Sequence, residues 1–177
     1  MKSESVAPTI LESIEQEEPI HTQRVFACRF VREDQNLVLT GGWDRTIKIF
    51  DLRAGGPVGH WFGAELSADA LDQCGDLIVA GSYRPNDSFQ VFDMRTMKIF
   101  QTIEWEFGST FSESAYLNTV RFNKNGSMIL AGSKTNDLKF FEQAFNESTG
   151  MDDPIFSQNS RHTHFTESVM CSNFMHE

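Results

Sequence analysis

Three apolar runs that each end in a glycine step constrain this chain most: Leu37-Val-Leu-Thr-Gly-Gly, Leu77-Ile-Val-Ala-Gly-Ser and Met128-Ile-Leu-Ala-Gly-Ser. Each is followed by a second motif: Ile47-Lys-Ile-Phe-Asp51-Leu-Arg53, Phe89-Gln-Val-Phe-Asp93-Met-Arg95 and, more loosely, Leu138-Lys-Phe-Phe-Glu142. Gly41, Gly81 and Gly132 stand 40 and 51 residues apart, and Phe50, Phe92 and Phe141 stand 42 and 49 apart. The runs are short, rich in Ile and Val, and bounded by Gly, Asp and Asn, which reads as strands between turns. β-branched side chains suit a pleated surface better than a helix. An isolated ribbon of three or four such strands cannot bury both of its faces, so it must stack on copies of itself.

A period of ~40–45 residues with four strands per unit is that of propeller blades. Here the chain resembles the WD-repeat β-propeller family, over about residues 20 to 143. The resemblance implies an all-β fold: a partial β-propeller of about three four-stranded antiparallel blades plus one strand of a fourth. In that family the strands run a to d, and four side chains form a hydrogen-bonded network inside each blade. They are a histidine before strand a, a Ser or Thr on strand b, an aspartate in the b–c turn and a tryptophan on strand c. The first repeat matches with His21, Thr40 and Asp44, and Phe50 stands in the tryptophan's place. Phenylalanine has no N–H to donate, which leaves that network one donor short. The second repeat matches with Ser82, Asp87 and Phe92, the third with Ser133, Asp137 and Phe141. Neither has a histidine nine residues before its apolar position (Leu71, Phe122), as His21 stands before Phe30.

On this reading residues 1–20 are an acidic, mostly disordered lead, or through Thr9–Ile14 an outermost strand d, with a short helix as a third choice. Residues 21–143 hold three WD-like repeats, 21–64, 65–107 and 114–143. Strand a of the second repeat is expected at Ser67–Leu71, with Asp69 where Cys28 stands in the first. Strand d of the first, Val58–Phe62, is weakened by Gly59. The loop from Trp105 to Ser114 carries much of the third repeat's extra length, as recognition loops and family insertions both do. Residues 144–177 are expected to be a polar loop around one weak strand, Ile155–Ser157, followed by the opening strand of an incomplete repeat. Ser168-Val-Met-Cys-Ser-Asn-Phe174 there resembles Arg24-Val-Phe-Ala-Cys-Arg-Phe30. Four to eight blades close a ring. The sequence is therefore expected to be a fragment, or to be completed by another polypeptide, rather than to stand as an open array with bare strand edges.

Composition bounds the function. With 177 residues, of which 40% are hydrophobic and 23% charged, the chain can bury a proper core. The net charge of −10 argues against nucleic acid and anionic membrane as partners. Residues 21–60 are slightly basic, with six Lys or Arg against four Asp or Glu. No apolar run is long enough for a membrane helix, and the N-terminus lacks the core of an export signal. Three widely spaced cysteines, Cys28, Cys74 and Cys171, suit free thiols in a reducing compartment. A cytoplasmic site is expected, with cytoskeletal, ciliary or nuclear assemblies as variants.

Signs of catalysis are thin. Asp44 beside His21 lacks an evident nucleophile, and neither a Gly-x-Ser-x-Gly elbow nor a phosphate loop occurs. Asp152 and Asp153 have no partner at a metal-ligand spacing. His162, His164, Cys171 and His176 fall within fifteen residues and give the alternative reading, a metal-dependent enzyme or zinc-binding protein using this tail. The leading expectation is a non-catalytic WD-repeat scaffold without cofactors. Its partners are other proteins in a larger assembly, including whatever chain or segment completes the propeller. The candidate docking residues lie where the d–a and b–c turns meet: Gln23, Arg24, Trp43, Tyr83, Arg84 and Lys134. Aromatic and arginine side chains on rigid turns are common anchors of protein interfaces. The alternative for Trp43 is that it covers the neighbouring blade.

Overall fold

A computed structural model describes residues 20–84, 86–105, 116–145, 154–162, 167 and 169–174. They form three four-stranded antiparallel sheets, each with its strands in sequence order. The first blade is β1 (Val25–Phe30), β2 (Leu37–Gly42), β3 (Thr46–Asp51) and β4 (Gly56–Phe62). The second is β5 (Leu71–Cys74), β6 (Leu77–Gly81), β7 (Phe89–Asp93) and β8 (Lys98–Thr102). The third is β9 (Leu117–Phe122), β10 (Met128–Ser133), β11 (Leu138–Phe145) and β12 (Pro154–His162). The all-β, three-blade architecture is the one the glycine-ended runs imply.

Register makes the three sheets comparable residue by residue. Gly41 pairs with Ile47, Gly81 with Phe89, and Gly132 with Leu138. A left-handed residue closes each b–c turn two positions before that partner: Arg45 (φ 61°), Asp87 (φ 56°) and Asn136 (φ 66°). Phe50, Phe92 and Phe141 are therefore equivalent, as are Lys48, Gln90 and Lys139.

Blades stack through those glycines. A Cβ on Gly41 would stand 3.0 Å from Leu66, one on Gly81 2.6 Å from Leu117, and one on Gly132 2.5 Å from Val169. The same three residues donate their amides to the blade before: Leu66 to Gly42 O (3.0 Å), Leu117 to Ser82 O (3.2 Å) and Val169 to Ser133 O (3.0 Å). A side chain at any of these glycines would hold the sheets apart, which is why the step needs hydrogen there. Outside it, Leu39, Ile47, Ile49 and Trp61 of the first blade meet Leu71, Ile78 and Phe92 of the second. Val79, Phe89, Val91 and Trp105 then meet Val120, Ile129, Phe141 and Phe156. Phe89 and Phe141 pack edge to face at 4.9 Å. Each such side chain, fully buried, contributes about 1.5–3 kcal/mol.

Polar side chains stitch the inner strands. Asp72 accepts from Arg32 at 2.9 Å and from the Phe122 amide at 2.7 Å, so it touches the blades on both sides. Asp69 likewise accepts from Arg29 and Arg121. Val169–Phe174 runs extended beside β9, with Asn118 donating to Val169 O at 3.1 Å and the Ser172 and Thr119 hydroxyls 3.0 Å apart. It opens a fourth unit.

Three sequence expectations are corrected. Strand a of the second blade is Leu71–Cys74, not Ser67–Leu71, and Leu71 (paired with Ala80) rather than Asp69 occupies the position of Cys28 (paired with Thr40). The cause is an insertion: Leu66 takes the place of Val25 and Ala70 that of Ala27, leaving Ser67–Asp69 where the first blade has only Phe26. Residues 154–162 are a nine-residue outer strand rather than a loop around a short one. Their polar Ser157–Ser160 faces solvent while Phe156, 2% exposed, enters the core. β4 spans seven residues through Gly59, where a Cβ would meet the Met97 side chain at 2.5 Å. The expectations for residues 1–19, for most of the loop before Ser114, and for His164 and His176 fall outside the described residues.

Candidate functional site

His21 lies at the end of the first blade where the chain enters β1. In its Nδ1–H tautomer the ring donates to Asp44 Oδ2 at 2.8 Å and accepts from the Thr40 hydroxyl at 2.7 Å. Asp44 also accepts from the Thr22 amide (3.0 Å), the Thr46 amide (3.2 Å) and the Thr46 hydroxyl (2.7 Å). Burial works against ionisation of Asp44, but the hydrogen bonds from Thr46 and His21 outweigh it and hold its carboxyl below the usual range. Thr40, His21 and Asp44 have the order of a nucleophile, base and acid. Their bonds, however, tie the segment before strand a to the b–c turn: His21 and Asp44 are 5% and 4% exposed at their side chains. The unit is a clamp. Thr46, a full member of it, was not among the sequence candidates; its position two residues after a turn aspartate is the signal that marks it.

The other two blades do not repeat the clamp. In register, Ala80 and Ala131 replace Thr40, while Asn86 and Thr135 replace Asp44. Ser82 and Ser133 instead match Gly42 and bond to turns. Ser82 accepts from the Glu65 amide at 3.0 Å, and Ser133 from the Thr135 and Asp137 amides at 3.2 and 3.3 Å. Asp87 is the exposed left-handed residue, and Asp137 is a buried match for Thr46. Phe50 is half-buried on β3, while Phe92 and Phe141 are fully buried.

The d–a and b–c turns share one end of the stack, where two positions per blade are locked by the same backbone bond. Trp43 N donates to Arg24 O at 3.0 Å, Tyr83 N to Glu65 O at 2.9 Å and Lys134 N to Tyr116 O at 2.8 Å. The paired side chains then combine. The Arg24 guanidinium lies 5.5 Å from the Trp43 ring centre, and Lys134 Nζ lies 5.7 Å from that of Tyr116, with cation and ring exchanged between the positions. Phe26 supports Trp43 at 5.1 Å, and Tyr83 and Tyr116 lie 5.0 Å apart. Bonds run between blades too: Trp43 Nε1 donates to Ser67 at 2.6 Å and the Tyr83 hydroxyl to Asn118 at 2.9 Å. Arg84 donates to Gly63 O at 3.3 Å, and Gln23 is exposed at the margin. Trp43 thus bridges to the next blade and remains 37% exposed. Phe26, Ser67, Tyr116 and Asn118 were missed; matching the residue before strand a in each repeat would have found Tyr116.

Residues 15–51 match the WD domain, G-beta repeat family. That stretch includes the first three strands of the first blade, so the family match covers one repeat of the three. The fold of the chain is that of solved propellers. A chain in "Crystal Structure of Mitotic Checkpoint Complex" is similar with a TM-score of 0.64 and 15% identity, covering 85% of this chain and 44% of that one. The computationally designed Ika8 protein gives 0.62 and 18%, covering 88% of this chain and 42% of that one. The chain therefore spans less than half the length of either. No curated protein matches its sequence. Among the described residues no group of three or more His, Cys, Asp or Glu could hold a metal, and no helix is long and apolar enough to cross a membrane. His162 ends β12 and Cys171 is exposed on the opening segment of the fourth unit.

Proposed function

We propose that this chain is a non-catalytic scaffold that holds proteins together within a larger assembly. Its partners dock on the end of the blades built from Arg24, Trp43, Tyr83, Arg84 and Lys134, with Gln23 at the edge. The supporting observation is the pair of cation–ring stacks set by an identical backbone bond in the first and third blades, with Tyr83 between them. Rigid aromatics of this kind supply contact area at low entropic cost. The same reading has the chain or segment that completes the ring among the partners. It places the protein in the cytoplasm, with cytoskeletal, ciliary and nuclear assemblies as variants; the unpaired thiols Cys28, Cys74 and Cys171 support a reducing compartment. Nucleic acid and membrane are disfavoured by the net charge of −10.

The test is photo-crosslinking in cells, with a photoreactive residue in place of Gln23, Lys134 or, at the opposite end, Asp76. The scaffold reading expects a common protein trapped at Gln23 and Lys134 but not at Asp76. Trp43→Ala should abolish the capture while lowering Tm by only a few degrees for the lost Ser67 and Phe26 contacts, the protein staying folded at the assay temperature. Capture that is equal at all three sites, or indifferent to Trp43, would contradict it.

A further inference from the structure

Arginine pairing distinguishes one end of the stack from the rest of the molecule. Arg29, Arg32, Arg45, Arg53, Arg95 and Arg121 are each ion-paired with an Asp or Glu. Arg24 and Arg84 have no carboxylate partner among the described residues, and both stand where the d–a and b–c turns meet. In a chain of net charge −10, two guanidiniums without a counter-charge on one surface call for an outside anion. We infer, resting on the docking role proposed above for this end, that the segment received there is an acidic peptide of the partner protein. It brings one Asp or Glu to Arg24, another to Arg84, and an apolar residue between them against Trp43.

Both guanidiniums are held in place and keep donors to offer. Arg24, exposed, lies 5.5 Å from the Trp43 ring centre, a contact that uses none of its N–H groups. Arg84, half-buried, gives one of its N–H groups to Gly63 O at 3.3 Å. Trp43 connects them, because its Nε1 donates to Ser67 in the linker between β4 and β5 that also carries Gly63. Carboxylates of the protein itself are engaged or set apart. Glu65, in the same linker, is taken by Arg45 at 3.2 Å, and Asp44 is enclosed in the clamp. Asp87 and Glu104 stand just before β7 and just after β8, on the two outer strands of the second blade, and Glu167 comes after the third. A guanidinium matches a carboxylate through paired N–H···O bonds, and one already fixed by its neighbours loses little freedom on binding. The anchors of Arg24 and Arg84 are separate, the Trp43 ring and Gly63 O, which suits one carboxylate each rather than a single phosphoryl group shared between them.

The probe is an immobilised library of short random peptides, one part with phosphoserine and one without, exposed to the purified full chain. Bound peptides should be enriched in pairs of Asp or Glu flanking an apolar residue. For a selected peptide, Arg24→Gln and Arg84→Gln should each weaken binding by about tenfold. Arg53→Gln, which removes the same charge at the opposite end, should leave it unchanged. Arg24→Lys should recover part of the loss, since it keeps the charge without the planar fork. Trp43-dependent binding of peptides with no acidic bias would overturn the assignment and leave the docking reading standing. So would a preference for phosphoserine over Asp and Glu of about tenfold or more, or selection of no peptide, the docking reading then being judged by the crosslinks. Acidic peptides that bind regardless of Trp43 and of both arginines would overturn the two together.

Discussion

Leu117 sits on Gly81: its Cβ would be 2.6 Å from a Cβ added to that glycine, while its amide bonds across to Ser82 O at 3.2 Å. Leu66 over Gly41 and Val169 over Gly132 repeat the relationship, so one contact defines how successive units stack. Gly81→Ala forces the second and third blades apart against Leu117 and Val120 and crowds Ala70 within its own blade, and overpacking of a buried contact costs about 1–3 kcal/mol or more. Gly75→Ala has open space around it, and its φ of 59° alone sets a cost of about 1 kcal/mol. Denaturant melts of both variants check the order.

The clamp at Asp44 gives a second contrast. Asp44→Ala removes a carboxylate that satisfies His21 and the Thr46 amide, both partly buried, and the exposed Thr22 amide, at a cost of about 2–4 kcal/mol. Asp87→Ala, at the exposed turn position of the next blade, should stay within about 1 kcal/mol. Equal losses on thermal melting would mean that the first blade is not closed by this network.

Asp72 and Asp69 both reach neighbouring blades, but only Asp72 is buried, at 7% exposed. Asp72→Ala is expected to cost about 2 kcal/mol by stranding the Phe122 amide and Arg32. Asp69→Ala, with its side chain 48% exposed, should cost under about 1 kcal/mol and less still in high salt. Melting in low and in high salt separates them.

Acid should weaken the fold through a small set of carboxyls. Burial opposes ionisation at Asp44, Glu33 and Asp93, yet hydrogen bonds outweigh it at each: from Thr46 and His21, from Gln73 and Gly75, and from the Arg95 and Thr96 amides. Their folded pKa values lie below the unfolded ones. The stability they contribute is therefore complete above about pH 5 and is lost as pH falls through the lowered values. Asp44→Asn should flatten that acid limb in melts taken from pH 7 down to pH 3.

How much of this was legible follows from what each residue signals. Gly41, Gly81 and Gly132, with Phe50, Phe92 and Phe141, carry the three-blade repeat in plain view, because the stack itself requires hydrogen and a large apolar group there. The second blade's inner strand was misplaced because Ser67–Asp69 is an insertion whose purpose, placing Asp69 between Arg29 and Arg121, exists only once the blades are stacked. β12 reads as a loop around one short strand, Ile155–Ser157, because an outermost strand needs one buried side chain, Phe156, and is otherwise free to be polar. His21, Thr40 and Asp44 could be picked out from their spacing. Ser82, Asp87, Ser133 and Asp137 shared that spacing within a residue or two, and a shift of one along a strand exchanges its faces.

The stacking contact itself is the most direct test. In a protein with selectively labelled glycine, leucine and valine, nuclear Overhauser spectra should connect the α-protons of Gly41, Gly81 and Gly132 to the methyls of Leu66, Leu117 and Val169 respectively. Spectra with well-dispersed strand signals but none of those three connections would contradict the account.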